Sequence, residues 1–150
     1  MARLLIVHHS PTPNLAAILD SVVAGATHED IEGVEVLVRQ ALLATVEDVL
    51  SADGYIIGTS ANIGYISGAV KHFFDQTFDQ ASQDPRKTPF SYYVHGRSDT
   101  SGAERAMESI STGLGWVKVS EPVCFLGEPT PDHLAAVSQL GSTVAATLAS

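Results

Sequence analysis

Basic side chains are scarce: 8 Lys and Arg stand against 17 Asp and Glu, a formal charge of -9 over 150 residues. Such a surface repels a phosphate backbone and anionic lipid headgroups, which argues against nucleic acid or a membrane as partner. Cysteine is nearly absent. The lone Cys124 cannot form an internal disulfide, and within "PVCFLG" it reads as a small core hydrophobe on a strand. The apolar stretch "LAAILDSVVAGA" is broken by Asp20, and no stretch is long and uncharged enough to cross a bilayer. The opening "MARLLIVHHS" places only Leu4 to Val7 before two histidines, short of a secretory apolar region, so the expected location is cytoplasmic. Neither G-x-G-x-x-G nor the P-loop lysine motif occurs, and Ser10 lacks the G-x-S-x-G setting of a hydrolase. His8 and His9 have no carboxylate or cysteine at ligand spacing, so no metal is expected. No residue suggests itself as a catalytic nucleophile.

What is present is a regular alternation. The 45% hydrophobic composition suits one compact domain over residues 1–150. The runs "RLLIVHH", "GVEVLVRQ", "DGYIIGTS", "PFSYYVHG" and "EPVCFLG" read as strands buried on both faces. Between them Leu15, Ile18, Leu19, Val22 and Val23 recur at helical spacing, as do Phe73, Phe74 and Phe78, then Met107, Ile110 and Leu114, and finally Leu134 to Leu148. "ALLATVEDVLSA" leaves room only for a stubby helix. Parallel strands need helical crossovers, and right-handed crossovers yield an α/β fold: a doubly wound five-stranded parallel sheet, order 2-1-3-4-5, with helices on both faces.

In such a sheet a ligand sits beyond the carboxyl ends of the strands, where the order reverses between the first and third. That rule selects His9 to Asn14, Thr59 to Ile66, and His95 to Gly102. In the first loop Thr12 can cap a helix that has Pro13 in its first turn, and the same helix start can receive a phosphate. Both readings stand. In the second, "GTSANIGY" is rich in small residues that let backbone groups approach a flat ligand, with Tyr65 as an aromatic wall; an ordinary strand-to-helix turn is the alternative. The following helix should begin at Ser67-Gly68.

"LLIVHHSPTPNLAAIL" resembles the first strand, phosphate loop and helix of the flavodoxin-like flavoproteins, whose usual loop reads S-x-T-G-N-T. "LSADGYIIGTSANIGYISGAVKHFFDQT" resembles the NAD(P)H-dependent FMN reductase and quinone reductase branches. Its specific element is G-x-x-S-G-x-x-K-x-x-x-D, here Gly64, Ser67, Gly68, Lys71 and Asp75. The closing "GEPTPDHLAAVSQLGSTVAATL" resembles the family's last helix, so the likeness covers most of the chain. It implies FMN as cofactor, with Ser10, Thr12, Pro13, Asn14 and Leu15 at the phosphate. Thr59, Ser60, Ala61, Asn62, Ile63, Gly64 and Tyr65 would lie at the ribityl and ring, with His95, Gly96, Arg97 and Gly102 beside the ring. Pro13 replaces the usual glycine and removes an N–H donor; Leu15 replaces a threonine and removes a hydroxyl. The resemblance further implies an NAD(P)H-dependent oxidoreductase acting on quinones or flavins, a small-molecule or protein redox partner, and a homo-oligomer that completes the nicotinamide pocket. A flavodoxin-type electron carrier and a flavin-free binding or regulatory module are the alternatives.

Overall fold

The computed structural model describes residues 1–149. In chain order the elements are β1 Ala2–His8, α1 Pro13–Ala26, β2 Val34–Gln40, α2 Val46–Ser51, β3 Gly54–Asn62, β4 Tyr65–Ile66, α3 Gly68–Ala81, β5 Pro89–Gly96, α4 Ser101–Leu114, β6 Val117–Lys118, β7 Val123–Leu126 and α5 Pro131–Leu148. Successive side chains of a strand point to opposite faces, so each apolar strand feeds two cores. Leu5 and Val7 of β1 pack with Val49, Phe73, Phe74 and Met107 under α2, α3 and α4. Leu4 and Ile6 pack with Leu15, Ile18, Val137 and Leu140 under α1 and α5. Trp116, buried at the end of α4, stacks on Tyr55 with ring centroids 4.2 Å apart.

The sheet runs β2-β1-β3-β5, with β6 and β7 both on the outer side of β5, and all of these pairings are parallel. This is the doubly wound order 2-1-3-4-5, with two refinements. The fifth strand is split: Val117–Lys118 pairs with Pro89–Phe90, and Val123–Leu126 with Tyr93–Gly96. Between the halves the Val119 N–H donates to Phe90 O at 3.0 Å and Ser91 Oγ to Ser120 O at 2.9 Å, so the chain stays fastened to β5. Because β7 lies at the sheet's edge, Cys124 is half-buried, not enclosed as its apolar neighbours suggest.

The second refinement concerns the stretch after the third strand. β3 continues to Asn62, and β4 folds back antiparallel on it, pairing Ala61 with Ile66 and Asn62 with Tyr65. Ile63 (φ 51°) and Gly64 (φ 74°) form the turn, both with the positive φ that suits a two-residue hairpin. Helix α3 begins at Gly68 with Ser67 as its cap, whose Oγ accepts from the Val70 N–H. On the exposed surface of that helix Lys71 pairs with Asp75.

The amino ends of the strands are held by Arg86. It donates from Nε to Asp84 at 2.8 Å, from Nη1 to Ala52 O at 2.9 Å and from Nη2 to Leu50 O at 3.2 Å. Beside it Asp53 accepts the Arg3 N–H at 2.8 Å. Among the described residues no helix is long and apolar enough to cross a membrane.

Candidate functional site

A cleft of about 330 Å³ opens at the carboxyl ends of β1, β3 and β5. It is lined by Pro11, Thr12, Asn14, Leu15, Ser60, Ala61, Asn62, His95, Gly96 and Arg97. The three loops selected by the order reversal therefore meet in one place. Among the described residues no Asp or Glu lines the cleft, although the chain carries 17 of them, and Arg97 is exposed. The cleft suits an anion.

Each wall has a local cause. On the first, Thr12 is the N-cap of α1 and its Oγ1 accepts the Leu15 N–H at 3.2 Å. Pro13 sits in the first turn and has no N–H, so at this helix start the Asn14 N–H is a donor without an intrahelical acceptor. A phosphate held here has fewer backbone donors than the S-x-T-G-N-T loop supplies. On the second wall, Thr59 is fully buried. Its hydroxyl donates to Ser60 O at 2.8 Å and accepts the Ser67 N–H at 3.0 Å, tying the cleft to the start of α3. Ser60 is 8% exposed, and its Oγ has no hydrogen-bond partner among the described residues. A buried hydroxyl without a partner is costly and calls for an explanation. On the third wall, His95 is buried and its Nε2 lies 2.7 Å from Gly127 O; since a carbonyl only accepts, Nε2 carries the proton. Next to it a side chain at Gly96 would begin 3.2 Å from the Ala61 Cβ, so glycine keeps that corner open.

Other residues expected at the site stand back from the cleft lining. Ser10 Oγ lies 2.8 Å from His8 Nδ1, and both face a separate recess of about 210 Å³ shared with Gln40 and Leu42. Burial, and then the neighbouring His9, holds His8 below its usual pKa. Pro13 and Thr59 act on the scaffold as described. Ile63, Gly64 and Tyr65 form the hairpin tip, where Ile63 is fully exposed and Tyr65 41% exposed. Gly102 supports that tip, because a Cβ there would fall 1.9 Å from Gly64 O. Pro11, inside the first loop that the order reversal selects, also belongs to the lining, although the likeness to the phosphate loop did not single it out.

A wider depression of about 840 Å³ lies by β6 and β7, where three of the polar lining residues bond to one another. Tyr92 donates to Glu108 at 2.6 Å and Lys118 to the same carboxylate at 2.9 Å.

No family model matches the chain. Over 75 residues, half of this chain and 40% of the relative, it is 37% identical to a flavodoxin of Aquifex aeolicus. Over 112 residues, 72% of this chain and 54% of the relative, it is 29% identical to an NAD(P)H dehydrogenase (quinone) of Paracoccus denitrificans. The chain spans about half the length of these curated relatives. Among solved structures, a flavodoxin from the domain Archaea superposes with TM-score 0.83 at 16% identity, covering 97% of this chain and 98% of the other. A WrbA-like flavodoxin from Agrobacterium tumefaciens superposes with TM-score 0.76 at 16% identity, covering 99% and 98%. The chain therefore has the flavodoxin-like fold, and parts of its sequence are similar to a flavodoxin and to an NAD(P)H dehydrogenase (quinone).

Proposed function

We propose that the chain binds FMN in the cleft between the β1, β3 and β5 loops and serves as an oxidoreductase passing electrons from NADH or NADPH to a quinone or flavin. The orphaned Ser60 hydroxyl carries this reading, because it is a buried polar group without a partner among the described residues, on a residue that lines the cleft. Thr12, Asn14 and the positive end of α1 would hold the phosphate. Ser60 and the backbone of Ala61 and Asn62 would hold the ribityl and ring, and Arg97 would favour negative charge nearby. Bound FMN supplies the hydride and electron chemistry, so the protein's part is to orient and to tune. The short passage from Arg97 to Thr100 leaves little protein for a nicotinamide pocket within one chain. That favours an electron carrier as the second reading.

The test is a fluorescence titration of the purified chain with FMN and with riboflavin, followed by anaerobic addition of NADH or NADPH. Tighter binding of FMN than of riboflavin, and bleaching by a nicotinamide, is the expected result. Bleaching only by a chemical reductant would move the chain to the carrier reading. Unperturbed FMN would overturn both. Thr12→Asp sharpens the phosphate assignment, since aspartate still caps α1 while its charge opposes the phosphate. It should weaken FMN by about tenfold or more, ~1.4 kcal/mol, and leave riboflavin unchanged.

A further inference from the structure

Strand β2 ends the sheet, so one of its edges has no neighbouring strand among the described residues. The side that is free can be read from two hydrogen bonds. Gly33 O accepts the Ala2 N–H, and the Ala41 N–H donates to His8 O, so the odd-numbered residues of this segment turn their backbone groups toward β1. The N–H and C=O groups of a strand alternate in direction. Val34, Val36, Val38 and Gln40 therefore present theirs outward. Arg39 Nη1 lies 3.4 Å from Val38 O, in keeping with that direction.

The charges on this edge have a symmetry of their own. Glu35 and Arg39 are equidistant from Leu37 along the strand, and both lie on the α2 face: Glu35 pairs with Arg3 and Arg39 with Asp48. We infer that β2 pairs with β2 of a second copy of this chain, antiparallel and centred on Leu37, joining two sheets across a two-fold axis. In that register Glu35 faces Arg39 of the partner copy at both ends, an opposite-charge cross-strand pair made twice. Val36 faces Val38, and these residues exchange their outward N–H and C=O groups as the hydrogen-bonded pairs. Moving the centre by one residue in either direction loses the Glu35–Arg39 match and faces one of the charges with Leu37. The exposed Leu42 and Leu43 in the turn after β2, 59% and 66% exposed, extend the apolar surface at each end of the contact. The proposed FMN cleft lies at the carboxyl ends of the inner strands β1, β3 and β5 and not along this edge, so it stays open. An edge of this kind is normally covered or guarded; here its charges are arranged to accept its own copy.

The net charge of -9 opposes association, so the measurement belongs at physiological ionic strength, where that repulsion is screened beyond ~8 Å. Sedimentation velocity of the full chain over a concentration series should show a monomer–dimer equilibrium. Glu35→Arg alone and Arg39→Glu alone should each shift it to monomer, because like charges then face one another. An equimolar mixture of the two single variants should form a heterodimer, since every facing pair is again opposite, and the double variant E35R/R39E should recover the homodimer. Val38→Pro removes an outward N–H and leaves the ladder with β1 intact; it should also give monomer, with circular dichroism reporting a retained fold. Monomer at every concentration in the unmodified chain would overturn the inference and make Glu35 and Arg39 guards of the edge. A dimer indifferent to both single swaps would overturn it as well, by placing the contact elsewhere.

Discussion

Replacing Ser60 by alanine should move stability and affinity in opposite directions. Ser60 Oγ is buried without a partner among the described residues, and such a group costs about 1–3 kcal/mol. Since Ser60 lies at a cleft wall, the lower end applies, so Ser60→Ala should stabilise the cofactor-free chain by ~1 kcal/mol. With an unfolding entropy of roughly 2.1 cal/mol/K per residue, that is a rise in Tm of about 3 °C. If the hydroxyl donates to bound FMN, the same substitution removes a hydrogen bond worth ~1 kcal/mol, a loss of about fivefold in affinity. Differential scanning calorimetry of the flavin-free protein and a fluorescence titration with FMN measure the two effects on one sample. A fall in Tm would mean that the hydroxyl is satisfied in the folded chain. A rise in Tm with unchanged FMN affinity would remove Ser60 from the cofactor's contacts.

Three further outcomes follow from other contacts. Gly102→Ala puts a Cβ 1.9 Å from Gly64 O; moving the hairpin off α4 should cost ~1–3 kcal/mol in urea denaturation, and no loss would show that the tip is not seated on α4. Burial, and then Glu104, pushes the Cys124 thiol up to about 12, so iodoacetamide at pH 8 should leave it unmodified until guanidinium unfolds the chain; rapid labelling of the folded protein would contradict its placement. For Glu108, burial raises the carboxyl pKa, but hydrogen bonds from Tyr92 and Lys118 outweigh it and hold the group below the usual range. A depressed folded pKa contributes stability above the unfolded value near ~4.3 and loses it as pH falls through the folded value. Glu108→Gln should therefore be less stable than the unmodified chain at pH 7 and converge with it as pH falls through the folded pKa of Glu108, and a gap that persists in strong acid would assign the loss to packing.

The parts of the fold that were legible in the sequence are those written in periodicity. Leu4 to Val7, Val34 to Val38 and Tyr92 to Val94 lie in buried or half-buried strands, and "ISGAVKHFF" marks the start of α3 because Ser67 is both a cap and the last residue before the apolar spacing. Val117–Lys118 was not legible, since two residues carry no period. The β3–β4 hairpin was hidden for a physical reason: its turn needs positive φ at two places, and a β-branched Ile63 at the first is the residue least suited to it. At the cleft the loops could be chosen from topology, but not the direction of each hydroxyl. Thr59 and Ser60 are neighbours with similar chemistry, yet one hydroxyl is spent on Ser67 and the other is left free, a difference set by strand alternation and by where α3 begins. The Ser10–His8 contact likewise depends on how the chain leaves β1.

Arg86 has a consequence for how this molecule can change. Its guanidinium gathers the carbonyls of Leu50 and Ala52 and the carboxylate of Asp84 at the end of the sheet opposite the cleft. The cleft end is instead held by a tight backbone contact, Gly102 against Gly64, and by the hydroxyl of Thr59. The two ends are therefore anchored independently, by charge at one and by close backbone fit at the other. Residues such as Asn14, Asn62 and Arg97 can be recoded for a new ligand while the opposite end keeps the scaffold closed, which makes the cleft rim the region where selection or a designer has the most freedom.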